Sequence, residues 1–81
     1  MPETKEIIPE MYAMIEDIAK SLDGQLKWVY TYPTEQQKYY EAAIRDDIVA
    51  MAIVVHKYCP GYDMDLFYRQ AGYTGTHPVH S

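Results

Sequence analysis

The sequence predicts an all-α fold in which two main helices form an antiparallel hairpin and a short C-terminal helix follows them. Three observations lead to this prediction. The segment between Pro33 and Pro60 lacks Gly and Pro, the first third of the chain carries apolar residues at helical spacing, and a short segment with its own start and stop signals lies near the C-terminus. With 81 residues, the chain is expected to form one small domain, residues 1–81.

A first helix is predicted over residues 4–23. Its apolar residues recur at spacings of three and four, which places them on one face; they are Ile8, Met11, Ile15, Ile18 and Leu22. Thr4 is the predicted N-cap, and Asp23-Gly24 is a helix stop. Residues 1–24 hold six acids and two lysines, so this helix presents either an ordinary solvated face or an acidic surface for a basic partner.

Residues 25–33 change period. Leu26, Trp28, Tyr30 and Tyr32 alternate with other residues, and aromatic and β-branched side chains dominate, which is a strand signal. Because a lone strand leaves its backbone N–H and C=O groups unpaired, we interpret the segment as an extended aromatic connector between the two main helices, with Trp28 filling the core. The alternatives are pairing with the same segment of a second copy and a docking edge for a partner.

The longest helix is predicted over residues 34–59. Thr34 and Gln37 match a capping box, and a Pro-Gly pair ends the helix. Its main apolar stripe consists of Tyr40, Ile44, Ile48, Met51, Val55 and Tyr58. All residues from Ile48 to Val55 are apolar, and a helix of that kind is normally enclosed on every side. Because so short a chain cannot enclose it, we expect a homo-oligomer, with a dimer as the commonest form.

A short third helix is predicted over residues 63–71. Asp63 is its expected N-cap, and Gly72 is its expected stop. The tail, residues 72–81, is rich in turn residues and is predicted to be flexible.

Composition disfavours several classes of partner. Twelve acidic against seven basic residues give a net charge of −5 at pH 7, which disfavours binding to a nucleic-acid backbone or an anionic membrane. The apolar run in the long helix is far shorter than the roughly 20 residues that span a bilayer. The single cysteine, Cys59, permits no internal disulfide, and the N-terminus lacks the pattern of a signal peptide. We therefore expect a cytoplasmic protein.

The sequence carries no recognisable pattern for catalysis, metal binding or a cofactor, so we expect a protein without enzymatic activity. An enzyme hypothesis would have to use Asp47 and His56 as acid and base. Cys59 is interpreted as a packing residue. His77 and His80 lack a third ligand at metal-binding spacing.

Nine tyrosines are too many for so small a core. Tyrosine combines apolar area with a polar end and is favoured at interfaces, so the surplus predicts a binding surface for a protein or a planar ligand. The candidate partner- or ligand-binding residues are Trp28, Tyr30, Tyr32, Tyr39, Tyr40, Arg45, Asp47 and Arg69. Asp47 falls within apolar surroundings on the helical wheel, so it is either a hydrogen-bonded structural acid or a binding acid.

The favoured hypothesis is a small non-enzymatic binding protein, an adaptor or inhibitor, that covers a protein partner with an acidic, tyrosine-rich surface. Its size and composition also suggest a phage-type anti-host factor. The alternative is an oligomeric helical protein that binds a nucleotide or another small planar ligand at a subunit interface. An enzyme is the third hypothesis.

Overall fold

The structure is a computed structural model that describes residues 8–78. This part of the chain forms three α-helices: α1 (Pro9–Val29), α2 (Thr34–Tyr58) and α3 (Met64–Gln70). The two long helices pack against each other across a short turn, α3 contacts both of them, and residues 8–78 contain no strand. The predicted all-α hairpin with a short C-terminal helix is confirmed.

The first helix begins at Pro9, directly after the N-cap Ile8. Proline suits this position because the N–H groups of a first turn have no partner within the helix, and because the ring presets a helical φ. Thr4, the predicted N-cap, lies outside the described residues.

The prediction of an extended connector over residues 25–33 is wrong, because α1 continues to Val29 and residues 30–32 form a hydrogen-bonded turn. The buried residues of α1 keep one helical register; they are Ile15, Ala19, Leu22, Leu26 and Val29. The stop predicted at Gly24 fails because the burial of Leu26 and Val29 outweighs the cost of a helical glycine, about 1 kcal/mol. The continued helix turns Trp28 away from the core, and this residue is 60% exposed rather than buried as predicted.

The core face of α2 is rotated relative to the predicted stripe. Its buried residues are Ile48, Ala52 and Val55. Tyr40 and Tyr58, at the ends of the predicted stripe, are exposed, whereas Ala52, which the predicted stripe does not include, is fully buried. Ala19 of α1 is also fully buried. A buried alanine lets a neighbouring helix approach closely, so Ala19 and Ala52 suit the packed faces of the two helices.

The predicted capping box of Thr34 and Gln37 does not form, since the N-cap of α2 is Pro33 and no side chain caps it. The side chain of Gln37 instead donates to the carbonyl of Tyr32 at 2.8 Å and to that of Tyr30 at 3.3 Å. Carbonyls that follow a helix end lack partners within the helix. Gln37 therefore joins the end of α1 to the start of α2.

The third helix has the predicted caps. The carboxylate of Asp63 accepts a hydrogen bond from the backbone N–H of Leu66 at 3.2 Å. Gly72 adopts φ +76°, the left-handed conformation that ends many helices. The backbone N–H of Tyr73 then donates to the carbonyl of Tyr68 at 2.9 Å, which closes the helix end.

The start of the tail, predicted to be flexible over residues 72–81, packs back against the hairpin. Arg45 on α2 donates to the carbonyl of Thr74 at 2.8 Å and to its hydroxyl at 3.3 Å. The guanidinium carbon of Arg45 lies 4.1 Å from the centre of the Tyr73 ring, a cation–π contact. The tail is thus attached to α2 immediately after α3.

A second attachment of the tail involves His77. Its ring stacks on Tyr68 with the centroids 4.5 Å apart, and its Nδ1 lies 2.7 Å from a carboxylate oxygen of Asp65. Residues 72–78 are therefore part of the packed fold, and residues 79–81 lie outside the described part.

One side of α2 is left open by the described chain. Ile53 and Val54 are 54% and 44% exposed. The Cα atoms extend 55 × 22 × 14 Å with a radius of gyration of 14.1 Å, against about 12 Å for a compact chain of this length. This shape agrees with the expectation that one small chain does not enclose the long helix. Within residues 8–78, no helix combines the length and apolar character needed to cross a bilayer.

Candidate aromatic binding site

Four of the predicted binding residues meet where α1 turns into α2. The ring centroid of Tyr32 lies 4.9 Å from that of Trp28 and 5.0 Å from that of Tyr40. The ring of Tyr40 in turn lies 5.5 Å from that of Tyr39. The interplanar angles are 65°, 83° and 84°, and edge-to-face geometry of this kind is favourable for aromatic pairs. We call Trp28, Tyr32, Tyr39 and Tyr40 the aromatic cluster.

Three different elements supply the cluster. Trp28 comes from the last turn of α1, Tyr32 from the connecting turn, and Tyr39 and Tyr40 from the second turn of α2. Tyr32 is half-buried in the middle of the series, whereas Trp28 and Tyr39 at its two ends are strongly exposed. The cluster is therefore an accessible surface with a partly buried centre.

The backbone of the connecting turn is held by local hydrogen bonds. The hydroxyl of Thr31 donates to the carbonyl of Trp28 at 2.7 Å, and the backbone N–H of Tyr32 donates to the carbonyl of Val29 at 3.0 Å. Gln37 adds its bond to the Tyr32 carbonyl from α2. These bonds determine where the ring of Tyr32 lies between the two helices.

Tyr30 lies beside the cluster and links the two helices. Its hydroxyl donates to the carboxylate of Glu41 at 2.8 Å. This hydrogen bond, together with the negative charge of Glu41, raises the pKa of Tyr30 above its ordinary value of 10.0. Tyr30 therefore joins the end of α1 to Glu41 on α2.

The charged candidates are distributed differently from the aromatic ones. Arg45 points to Tyr73 and Thr74 rather than to the cluster, and Arg69 is exposed on α3. Asp47 is exposed on α2, seven residues after Tyr40 and hence about two turns along the same side of the helix. The apolar surroundings expected for Asp47 therefore do not enclose it. An exposed carboxylate is solvated and needs no buried hydrogen-bond partner.

The acid–base pair of the enzyme hypothesis is not assembled. Asp47 and His56 are nine residues apart, which places them on opposite sides of α2. The Nδ1 atom of His56 is buried and has no hydrogen-bond partner within residues 8–78. Cys59 is buried in the core, as its interpretation as a packing residue requires. The described residues contain no group of three His, Cys, Asp or Glu side chains placed to hold a metal ion.

Two residues of the site were missed by sequence reasoning. The capping-box pattern gives Gln37 a different role, and the sequence patterns single out no role for Glu41, yet Gln37 binds the Tyr32 carbonyl and Glu41 binds the Tyr30 hydroxyl. Glu41 lies eleven residues from Tyr30, so no local spacing rule connects the two. Only the position of the turn between the two helices would have indicated that Tyr30 and Glu41 lie opposite each other.

Comparison of this chain with protein-family models, curated proteins and solved structures finds no match. The function is therefore inferred from the residues of this chain alone.

Proposed function

We propose that the protein is a small non-enzymatic binding protein, an adaptor or inhibitor, that contacts a protein partner through the aromatic cluster. One observation carries the proposal: four aromatic rings contact one another in series and remain accessible at one end of the molecule. Tryptophan and tyrosine are over-represented among the residues that dominate binding energy at protein interfaces.

The arrangement of the rings lowers the entropic cost of binding. Each immobilised side chain at an interface costs about 0.5–1.5 kcal/mol. The rings of Tyr32 and Tyr40 are already held by edge-to-face contacts, and the turn beneath them is held by Gln37. A partner therefore meets a surface that is ordered before contact, which supports rigid aromatic anchoring rather than folding on binding.

Charge indicates the kind of partner. The net charge of −5 favours a partner surface that is basic. Glu41 follows Tyr40 of the cluster directly in the sequence, and Asp47 is exposed further along the same helix. We expect such a partner to associate faster at low salt, because electrostatic steering weakens as ionic strength rises.

The single tryptophan provides a direct test. Replacing Trp28 with 5-fluorotryptophan gives a protein with one ¹⁹F resonance. Fractions of a host-cell extract are titrated into this protein, and the bound component is recovered by affinity capture. We expect the resonance to shift and broaden with one fraction, since Trp28 is exposed in the unbound protein.

Matched variants decide whether the cluster is responsible. Tyr39 and Tyr58 are exposed tyrosines of the same helix, and only Tyr39 belongs to the cluster. We expect Tyr39→Ser to weaken capture roughly tenfold or more and Tyr58→Ser to leave it near wild type, with similar melting temperatures. Equal effects of the two variants on capture would contradict the proposal. Capture of a partner without a change in the ¹⁹F resonance of residue 28 would contradict it as well.

A small planar ligand is the second candidate, favoured by the exposed ring area of Trp28 and Tyr39. Because Arg45 and Arg69 lie away from the rings, a neutral planar ligand fits this surface better than a nucleotide phosphate. A thermal shift with nucleobases in the absence of any protein, lost in Tyr39→Ser, would favour this candidate.

Two further features belong to the proposed function. We propose a homo-oligomer, with a dimer as the simplest form, that associates through the open side of α2 around Ile53 and Val54. We also propose a cytoplasmic location, because the single cysteine, Cys59, is buried as a free thiol and a reducing compartment suits it.

A further inference from the structure

A second surface lies on the side of the hairpin away from α3. It is an open groove of about 700 Å³, and the residues that define its character are Met14, Ile18, Leu22, Met51, Glu10 and Asp17. We propose that this groove binds an amphipathic helix of another protein whose apolar face is flanked by lysine or arginine. The proposal concerns a different surface from the aromatic cluster and does not depend on it.

The floor of the groove has the chemistry of a helix-binding site. Ile18 and Leu22 of α1 and Met51 of α2 line it, and Met14 is 54% exposed at its edge. Methionine side chains are unbranched and polarisable, and they adapt to different apolar partners, which is why they are frequent in grooves that receive amphipathic helices.

The length of the groove sets the length of its occupant. The lining residues on α1 run from Glu10 to Leu22. At about 1.5 Å per residue this segment is roughly 18 Å long. An occupant of three to four helical turns would cover it.

The charge of the lining indicates a basic occupant. Glu10 and Asp17 are the charged residues of the lining, and none of the described residues that line the groove is basic. Both carboxylates come from α1. An apolar floor edged by carboxylates is complementary to an apolar stripe edged by cations.

The chain's own described elements pack elsewhere. Tyr12 of α1 contacts Tyr62 with ring centroids 5.4 Å apart, and Arg45 of α2 receives Tyr73. Tyr12 and Arg45 lie on the faces of their helices that point away from Met14 and Met51. A symmetric second copy in the groove would bring the carboxylates of both copies to one interface, which disfavours self-association at this site.

The test uses a fluorescein-labelled helical peptide of about 14 residues, built from leucine, alanine and lysine with its leucines on one face. Anisotropy measures its binding to the full chain. A peptide of the same composition with scrambled leucines, and one with glutamate in place of lysine, are the controls. We expect the cationic amphipathic peptide to bind at least tenfold more tightly than both controls. We expect its affinity to fall as salt rises from about 0.05 M to about 0.3 M.

Protein variants locate the site. Met14→Lys and Asp17→Lys change exposed residues of the groove. Asp46→Lys is the control: it makes the same charge change as Asp17→Lys, but at an exposed position on the opposite side of α2 from Met51. We expect the groove variants to weaken binding roughly tenfold and Asp46→Lys to have a much smaller effect. Equal losses for Asp17→Lys and Asp46→Lys, or equal binding of the scrambled peptide, would overturn the proposal, since either result means general attraction to an acidic protein.

Two other results would also overturn the proposal. The first is the absence of binding by the amphipathic peptide at low salt. The second is a concentration-dependent dimer that Met14→Lys abolishes, because the groove would then be occupied by a second copy. Tyr39→Ser is included in the peptide assay, and we expect it to bind like wild type. The peptide assay therefore tests the groove alone, and the capture assay with Tyr39→Ser tests the aromatic cluster alone, so that failure of one proposal is distinguished from failure of the other.

Discussion

At the scale of single residues, two glycines of this chain have opposite requirements. Gly24 lies inside α1, and no described atom lies within 4 Å of the position that a Cβ would occupy, apart from its own helix and neighbours. Gly72 has φ +76°, and a Cβ there would collide with the carboxylate of Asp23. Gly24 is thus replaceable in the folded state, whereas Gly72 is required by its left-handed conformation, and a Cβ there would also displace the Asp23 carboxylate.

We expect Gly24→Ala to raise the free energy of unfolding by about 0.5–1 kcal/mol, because alanine loses less backbone entropy on entering a helix. We expect Gly72→Ala to lower it by at least about 1–2 kcal/mol, the cost of a left-handed non-glycine residue. Urea unfolding followed by circular dichroism measures both changes. A destabilised Gly24→Ala protein would show that α1 does not run continuously through this position.

The buried side chain of Tyr62 makes the free energy of unfolding depend on pH in alkaline solution. Burial of this side chain, with a smaller effect of the negative charge of Glu16, raises its pKa above 10.0. In alkaline solution the unfolded chain therefore loses this proton before the folded chain does. The contribution of the protonated Tyr62 side chain to the free energy of unfolding is fully present below about pH 10, and it is lost as pH rises through the folded-state pKa.

We expect the stability of the wild type to fall more steeply between about pH 9 and about pH 11 than that of Tyr62→Phe. The variant loses the hydrogen bond from the Tyr62 hydroxyl to Gln70 at 3.1 Å, so its stability is lower at neutral pH. Denaturant unfolding at each pH gives both slopes, with the exposed Tyr58→Phe as the comparison. Parallel slopes for wild type and Tyr62→Phe would contradict the assignment.

At the scale of elements, the segment after α3 behaves as part of the fold. Arg45 of α2 holds Thr74, and the ring of His77 stacks on Tyr68 beside the carboxylate of Asp65. Turn-rich composition predicted a flexible tail, but composition does not report whether an aromatic surface is available to receive a histidine ring. The fully buried Tyr68 on α3 provides that surface.

We expect deletion of residues 75–81 to lower the melting temperature by about 4 °C or more, because the stacking and hydrogen bonding of His77 contribute on the order of 1 kcal/mol. His77→Ala should reproduce most of the loss, and Thr76→Ala, at an exposed neighbouring position, should not. Calorimetry provides the measurement. An unchanged melting temperature for the truncated protein would show that the tail contributes no stability.

At the scale of the whole molecule, the described chain forms a thin plate of helices with one side of α2 open to solvent. Ile48, Ala52 and Val55 face the core, while Ile53 and Val54 face outward. The described neighbours of α2, which are α1 and the short α3, cannot surround it, because each neighbour covers only about one face of a helix. The exposed apolar residues are therefore a property of the architecture.

We expect the wild type to self-associate at high concentration and Ile53→Lys to sediment as a monomer of 9.4 kDa, since a buried unpaired charge is costly at an apolar interface. Gln36→Lys, an equal charge change at an exposed position near the start of α2, should leave the association intact. Sedimentation equilibrium measures the mass. A wild-type protein that remains monomeric at every concentration would remove self-association from the proposed function.

The sequence alone determined the features that depend on local chemistry. Asp63 caps the start of α3 with a side-chain acceptor, and the left-handed Gly72 follows its end. Pro60 prevents α2 from continuing, because proline lacks the N–H that the helix needs. The alternation of residues 25–33 was misleading, since the same residues also continue a helical stripe. Only the packing of Leu26 and Val29 selects the helix.

The tertiary structure decided which surface residues act together. Trp28 and Tyr39 belong to one cluster only because the hairpin returns the chain on itself. The groove exists only because Met51 of α2 lies across from Met14 of α1. The physical reason is that caps and turns are short-range effects, whereas an interaction surface is assembled from residues far apart in the chain.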